Sequence, residues 1–285
     1  MKECCLADSL QSQAYAKEIK YKEKLKQLKP KEKTMEKVEL IPTNETSEYY
    51  QEHVAGRHGK GSTSIGSKLL DNVPDDYILN VLSETDKAYQ KAIDEKGKPG
   101  RMVFAVQADR PIGTNAILPQ ENLDSNSVFS TTRDIGKSGE AKVLVALISE
   151  SEMPKTNIAH VIMGHYGPTG KAGIYTMVCG DEGVPMPRPV DENTPPEAVK
   201  FNEECQKYWD SHVFLITPKE LKANIAELQA AGVPTTIQEA ALRAFEAKGE
   251  KSPIEKPYQA YVSPSAVRLQ VNRYNNLAAT KGGRE

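Results

Sequence analysis

The sequence predicts an α+β protein, in which helices pack on an antiparallel or mixed sheet of about five strands. Short apolar segments that are typical of strands follow one another in the middle of the chain. Segments with helical spacing of apolar residues lie before and after them. The chain has 285 residues, of which 38% are hydrophobic, and this is enough to bury a sizeable core.

Residues 1–40 form a lysine-rich arm that we expect to be helical, because apolar residues recur at partial helical spacing until Pro30. Residues 17–37 hold nine lysines against four glutamates, an excess of five positive charges, although the whole chain carries -2. Such an arm is typical of a solvated helix with Lys–Glu pairs. It is also typical of an anchor for nucleic acid or another anionic surface.

A linker, a domain and a tail are predicted after the arm. Residues 41–71 are rich in polar residues and glycine and predict the linker. The α+β domain is expected at residues 72–277 and a flexible tail at residues 278–285. Its first helix is predicted from Tyr77 onwards by apolar residues at helical spacing, and Gly97 ends it.

Five strand candidates follow this helix. They are residues 102–108, 142–149, 158–164, 172–179 and 212–216. Short connections join the three central candidates and predict an antiparallel meander, because a parallel crossover needs about a dozen residues or more. Residues 113–139 carry Pro, Asn, Ser and Gly at close intervals and are expected to be mostly loop, and residues 258–271 predict one or two last strands.

Three capping-box patterns predict the starts of helices in the second half of the chain. They are Thr194 with Glu197, Thr217 with Glu220, and Thr236 with Glu239. In each pattern the threonine oxygen accepts a hydrogen bond from the amide three residues later, and the glutamate returns to the threonine amide. We expect these helices to pack on the sheet.

The sequence also argues against several classes of protein. No run approaches the roughly 18 apolar residues of a membrane helix, and residues 1–24 show no apolar core of a signal peptide. Cys4, Cys5, Cys179 and Cys205 form neither a disulfide framework nor a CxxC pair. We therefore expect a protein of a reducing, cytoplasmic setting.

The segment from Gly164 to Gly173 contains a Gly-Lys pair, as a phosphate-binding loop does. That loop requires a serine or threonine directly after the lysine, where this chain has Ala172, and a helix where this chain predicts a strand. Nucleotide hydrolysis is therefore not expected. The histidines and cysteines lack the spacing of metal ligands, so neither a cofactor nor a metal ion is expected.

The same segment holds the candidate site. His160, His165, Lys171, Tyr175 and Thr176 fall on two neighbouring strands and the turn between them. Histidine takes and returns a proton near neutral pH, lysine stabilises a developing anion, and a hydroxyl orients a phosphate oxygen. The pattern predicts a metal-independent nuclease that acts through the ribose 2′-hydroxyl, with one histidine as general base and the other as general acid.

The segment AHVIMGHY, residues 159–166, is similar to the His-hydrophobic-Gly strand of EndoU-type and barnase-like toxin ribonucleases. This resemblance implies an antiparallel sheet with histidines and a lysine at the site. It covers only this short part of the chain. The second histidine-bearing strand of those enzymes has no counterpart, because Gly173, Ile174 and Tyr175 include no histidine.

Two other interpretations remain open at this point. In the first, His160 is a core histidine bonded to a backbone carbonyl, His165 a loop residue, Lys171 a solvated charge and Tyr175 a packing residue. In the second, the chain is a non-enzymatic interaction or effector-type protein that docks through its basic arm and the proline-rich loop at residues 184–189. The predicted partner is RNA for the nuclease and another protein for the docking module.

Overall fold

The computed structural model describes residues 38–135, 139–167 and 169–271. The predicted helix of the arm and the predicted tail lie outside the described residues. The strands and helices are β1 (Glu39–Leu40), α1 (Gly56–His58), α2 (Asp75–Lys96), β2 (Met102–Ala108), β3 (Gly113–Thr114), β4 (Ile117–Pro119), β5 (Val128–Asp134), β6 (Glu140–Leu147), β7 (Lys155–Thr156), β8 (Ile158–His165), β9 (Lys171–Cys179), α3 (Pro196–Trp209), β10 (His212–Ile216), α4 (Pro218–Ala230), α5 (Thr236–Ala247) and β11 (Val267–Val271). A π-helical segment, Tyr50–Ala55, runs directly into α1.

The fold is α+β with mixed sheets, as the sequence predicts. One sheet has five strands in the order β1-β9-β8-β2-β11, and a second has four strands in the order β4-β10-β6-β5. β8 pairs antiparallel with both β9 and β2, whereas β1 and β11 add parallel strands at the two edges. β3 and β7 form a separate antiparallel pair. Among the described residues, no helix is long and apolar enough to cross a membrane.

Each large sheet has its own core. α2 covers one face of the five-stranded sheet, where Tyr77 and Leu82 pack with Phe104 and Met163. α3, α4 and α5 cover one face of the four-stranded sheet, where Trp209 and Phe245 are buried. Its other face packs a further apolar cluster around Leu215. The helices therefore do not cover the other face of the five-stranded sheet, and this face borders the four-stranded sheet.

Several predicted elements are confirmed. α2 contains the predicted helix and ends at Gly97, which has a φ of 72°. The strands at residues 102–108 and 212–216 have the predicted bounds, and the other three candidates differ from β6, β8 and β9 by at most two residues at either end. β11 supplies a strand within residues 258–271.

Residues 113–139, which the sequence predicts to be mostly loop, contain three strands that were not predicted, β3, β4 and β5. β5 is an edge strand that pairs with β6 over seven residues, and serine and threonine occupy much of it. Its composition lacks the apolar run of a central strand, although threonine favours the extended backbone. The three-stranded meander is also wrong. β6 joins β5 and β10 in the four-stranded sheet, so that of the three central candidates β8 and β9 alone pair with each other.

One of the three capping boxes is confirmed. At the start of α4, Glu220 N donates to Thr217 Oγ1 over 3.2 Å, and Thr217 N donates to Glu220 Oε2 over 2.7 Å. The box at Thr194 is wrong, because its hydroxyl is bonded to Asp191 instead. The box at Thr236 is wrong as well. α5 has Thr235 as its N-cap, and the Thr235 hydroxyl donates to Glu239 Oε1 without capping a helix amide.

Residues 41–71, which the sequence predicts as a linker, lie in the same compact unit as the sheets. The π-helical segment buries Tyr50 and Val54 in the core beneath the five-stranded sheet, and Leu69 joins them. Ile65 joins the core of the four-stranded sheet. Only a few apolar residues anchor this segment, and long polar stretches separate them. The average composition of the segment is therefore polar, although it is part of the folded unit.

Candidate functional site

A cleft of about 550 Å³ lies between the two large sheets. The five-stranded sheet lines it with Ile162, Tyr175, Thr176 and Val178, and the four-stranded sheet lines it with Ile117, Arg133 and Phe214. Residues of the π-helical segment, of α1 and of the segment 182–188 line it as well, together with Ser67, Arg101 and Trp209. Elements far apart in the chain thus meet at one opening, which is typical of a binding site.

The cleft is strongly basic, although the chain as a whole carries a net charge of -2. Among its described lining residues are four arginines, Arg57, Arg101, Arg133 and Arg188, and one carboxylate, Glu182. Guanidinium groups bind phosphate and carboxylate oxygens in pairs of hydrogen bonds. The chemistry of this concentration of positive charge suits an anion.

His58 is the histidine most firmly placed in the cleft. Its ring is buried, and its Nδ1 lies 2.8 Å from the Ser67 carbonyl oxygen. A carbonyl only accepts hydrogen bonds, so Nδ1 carries the proton and Nε2 keeps its lone pair. Nε2 lies 3.4 Å from Thr176 Oγ1. His58 therefore presents an unprotonated nitrogen beside a hydroxyl of β9.

The electrostatic surroundings keep His58 neutral. The pKa of His58 is lowered to about 4, chiefly by burial; the charges of Lys68, Arg133 and Arg57 contribute to this decrease, and the hydrogen bond to the Ser67 carbonyl opposes it. An anion bound beside Arg57 and Arg133 offsets their charges and raises the pKa of His58 again. Binding of an anion in the cleft is therefore expected to increase the affinity of the imidazole for a proton.

Ser67 fixes His58 relative to β9. Its hydroxyl accepts a hydrogen bond from Cys179 N over 2.9 Å, while its carbonyl accepts the bond from His58. Leu69 N donates to the His58 carbonyl over 2.7 Å. These bonds hold the imidazole in one orientation, as a group that transfers protons requires.

Arg133 projects from β5 into the same space. Its Nε donates to the Ile65 carbonyl over 2.9 Å, and its guanidinium carbon lies 4.8 Å from the centre of the Phe214 ring. Burial lowers the pKa of Arg133 to about 10, and the nearby charge of Arg57 contributes to the shift, so Arg133 stays charged at neutral pH. Arg57 Nη2 itself lies 3.8 Å from Asp134 Oδ2. The two arginines form a paired positive surface next to His58.

Glu182 is the acidic group of the lining. It is half-buried, and burial raises its pKa; Arg101, whose Nη2 lies 3.8 Å from Glu182 Oε1, opposes this shift, whereas Asp181 adds to it. A raised pKa favours the protonated carboxyl, which is able to donate a proton. Glu182 therefore differs from His58 in the direction of its pKa shift, as the two members of an acid–base pair do.

The neighbouring Asp181 holds Glu182 in place. Asp181 N donates to Asn115 Oδ1 over 2.9 Å. Its carboxylate accepts hydrogen bonds from the hydroxyls of Tyr208 over 3.2 Å and Tyr258 over 2.8 Å. The buried carboxylate thus ties the end of β9 to α3 and to the chain after α5, and this anchors the segment that carries Glu182.

The structure brings Tyr175 and Thr176 of the predicted site to the cleft and places the other three residues elsewhere. His160 is fully buried, and its Nδ1 lies 2.9 Å from the Gly180 carbonyl oxygen. Burial lowers its pKa. This is the arrangement of a core histidine, which was one of the alternatives that the sequence left open.

His165 and Lys171 lie away from the cleft as well. His165 shares the α2 face of the sheet, where its ring centre is 6.4 Å from that of Tyr89 on α2, whereas His160 follows the opposite face. Lys171 is exposed at the start of β9, beside β1. The two predicted histidines therefore do not face a shared opening.

Sequence reasoning missed His58, Arg57, Arg133 and Glu182. His58 and Arg57 lie in the segment predicted as a linker, and Arg133 lies in the region predicted as a loop. The run VFSTTRD, residues 128–134, carries the one usable signal, because its valine, phenylalanine and threonines favour a strand. The proline-rich loop at residues 184–189, which the sequence offered as a docking element, contributes Val184, Pro185, Met186 and Arg188 to the cleft lining.

A second cavity, of about 410 Å³, lies between β5 and α5 and is lined mainly by apolar residues such as Phe129 and Phe245. Lys248 and Lys251 line it together with the carboxylates Asp124 and Glu255, so it lacks the excess of positive charge in the cleft. Within the described ranges, no group of three or more histidine, cysteine or acidic side chains is placed to hold a metal ion. The groups that meet in the cleft make it the candidate site.

Comparisons of the chain with protein-family models, curated proteins and solved structures find no significant match.

Proposed function

We propose that the cleft binds the phosphate backbone of RNA and cleaves it without a metal ion, with His58 as general base and Glu182 as general acid. The observation that carries the proposal is the convergence of four arginines on a neutral, oriented histidine and a half-buried carboxyl. The sequence predicted this reaction class on other histidines and a lysine, with Thr176 common to both sets. The arrangement of the cleft residues supports the same reaction class.

Phosphate binding is the first requirement of the reaction. Arg57 and Arg133 stand beside His58 and supply donors for the two non-bridging oxygens of a phosphodiester. Their charges also stabilise the extra negative charge that develops on phosphorus in the transition state. Thr176 Oγ1 lies 3.4 Å from His58 Nε2. The threonine hydroxyl orients the ribose 2′-hydroxyl toward the imidazole that acts as general base.

The proposed reaction is a transesterification. His58 Nε2 takes the proton of the ribose 2′-hydroxyl, and the 2′-oxygen forms a bond to phosphorus. The bond from phosphorus to the 5′-oxygen breaks, and the leaving oxygen takes the proton of Glu182. The products are one strand that ends in a 2′,3′-cyclic phosphate and one strand with a free 5′-hydroxyl.

Cleavage of end-labelled RNA by the full chain in the presence of EDTA tests the proposal. We expect products with a cyclic phosphate and no cleavage of a strand whose 2′-hydroxyls are methylated. His58→Asn keeps a donor for the Ser67 carbonyl but removes Nε2, and it should lower the rate roughly 10²- to 10⁴-fold. RNA that stays intact with the wild-type chain, or an unchanged rate in His58→Asn, would contradict the proposal.

The docking alternative makes a different prediction for the same cleft. Four arginines and the proline-rich loop also suit an acidic partner that binds without being cleaved. Binding of RNA or of an acidic protein without any cleavage would favour this alternative over the enzyme.

A further inference from the structure

The position of Tyr175 bears on how a nucleic acid is bound in the cleft. Thr176 is paired with Ile162, and Ile174 is paired with Met163, so Tyr175 is the extra residue of a β-bulge. On a regular strand, neighbouring side chains point to opposite faces. The bulge turns Tyr175 so that it lines the cleft together with Thr176.

The Tyr175 ring is held in place although 38% of the residue is exposed. Gly164 on β8 leaves room for the ring, because a Cβ at this position would overlap Tyr175 Cε2. The Tyr175 hydroxyl donates to the His165 carbonyl. The Tyr175 and Tyr166 rings form a T-shaped pair with centres 5.7 Å apart, and Tyr166 is stacked on Tyr49 with ring centres 4.4 Å apart.

A fixed and exposed aromatic ring beside a basic surface is a platform for a nucleobase. Stacking of one base on an aromatic side chain contributes about 1–3 kcal/mol, and the fixed ring loses little entropy on binding. The other aromatic rings among the described lining residues, Trp209 and Phe214, are stacked on each other and are buried. Of these three rings, only that of Tyr175 belongs to an exposed residue.

We infer that the nucleic acid enters the cleft as a single strand, with one of its bases stacked on Tyr175 and an adjoining phosphate on Arg57 and Arg133. The inference rests on the proposed function, because it names the form of the substrate of that same site. In a duplex the faces of each base are covered by their neighbours, and stacking on the tyrosine requires the base to leave the helix. The platform thus selects unpaired strands.

Binding measurements on the full chain test this inference without any cleavage. The probes are a short fluorescent 2′-O-methyl RNA strand, which cannot form the cyclic phosphate, the same strand in a duplex, and inorganic pyrophosphate as competitor. We expect the single strand to bind more tightly than the duplex. Tyr175→Ala should weaken binding of the single strand roughly 10- to 100-fold, the loss of one stacked base, and leave pyrophosphate affinity unchanged.

Two further variants separate stacking from other effects. Tyr175→Phe keeps the ring and should bind the strand nearly as wild type does. Tyr261→Ala removes another exposed tyrosine, which is absent from the cleft lining, and should change nothing. Equal binding of duplex and single strand, wild-type affinity in Tyr175→Ala, or equal losses in Tyr175→Phe and Tyr175→Ala would overturn the inference.

The outcomes also distinguish this inference from the proposed function. If Tyr175→Ala weakens strand binding and the wild-type chain leaves RNA intact, the platform stands and the proposed catalysis fails. If RNA is cleaved and Tyr175→Ala binds as wild type does, the platform alone fails. If the wild-type chain binds neither the strand nor pyrophosphate, both are overturned.

Discussion

The two faces of the β8–β9 hairpin differ in what covers them. On one face, Val161, Met163 and Met177 are at most 1% exposed and pack with residues of α2. On the other face, Thr176 and Tyr175 border a basic cleft. The comparison teaches that one face contributes mainly to stability and the other provides the groups for binding, although residues of both kinds are neighbours in the chain.

The largest expected effect is the difference between two aspartate substitutions at adjacent positions of β9, one on each face of the hairpin. Met177→Asp buries an unpaired charge against α2 and should lower the free energy of unfolding by roughly 4 kcal/mol or more. Thr176→Asp should leave the melting temperature near that of wild type, because the new carboxylate faces arginines. Thermal unfolding of both variants measures the difference, and equal destabilisation would contradict the assignment of faces.

The acid–base assignment predicts a cleavage rate with an acidic optimum. The rate should fall toward pH 4, where His58 takes a proton, and on the alkaline side, where Glu182 loses its proton. Charged neighbours of these groups are Lys68, Arg57 and Arg133 for His58, and Arg101 and Asp181 for Glu182. The dependence of kcat/KM on pH checks this expectation.

Glu182→Gln is the variant that sharpens the pH test. It removes the acidic proton and should lower the rate roughly 10²- to 10⁴-fold. It should also abolish the alkaline decline, because the group that ionises there is missing. A rate that rises steadily from pH 5 to pH 9 in the wild-type chain would show that Glu182 does not act as the acid.

A smaller effect is expected from Asp86, which lies on α2 and accepts hydrogen bonds from Thr43 N over 2.6 Å and Thr43 Oγ1 over 3.2 Å. Burial raises the pKa of Asp86 from 3.8 to about 6, against the opposing bonds from Thr43. The folded state therefore holds this proton more tightly than the unfolded state does. Its contribution to stability is present below pH 4 and is lost as the pH rises through 6, a change of about 3 kcal/mol.

Asp86→Asn should lack this loss. The difference in unfolding free energy between the variant and the wild type should shift in favour of the variant by about 2 kcal/mol between pH 4 and pH 7. Denaturant titrations at several pH values measure this difference. His58 titrates in both proteins, so its contribution to the difference cancels. A difference that stays constant with pH would contradict the assignment.

The smallest effect is expected from the predicted site residues that lie outside the cleft. Lys171→Met and His165→Gln should leave RNA cleavage within about twofold of wild type, because neither side chain lines the cleft. Both variants serve as matched controls for Arg133→Met and His58→Asn. A large loss of cleavage in either control would indicate that the active site lies at the turn between β8 and β9 instead of in the cleft.

Periodicity predicted the fold class, α2 and most of the central strands, because these segments carry apolar residues at regular spacing. It failed for β5 and for residues 41–71, where polar residues dominate and a few side chains such as Tyr50 and Val54 provide the anchoring. Tyr175 and Thr176 were within reach because they are near a polar cluster in the sequence. His58, Arg133 and Glu182 were not, because only tertiary packing brings β5, α1 and the end of β9 together.

The most direct test of the central claim, that a phosphate binds between Arg57 and Arg133 beside His58, is a histidine NMR titration of the full chain with and without inorganic pyrophosphate. His58→Asn identifies the His58 signal. We predict that His58 titrates near pH 4 in the free protein and at a higher pH with pyrophosphate, while His165 is unchanged. A His58 titration that does not move at saturating pyrophosphate would contradict the account.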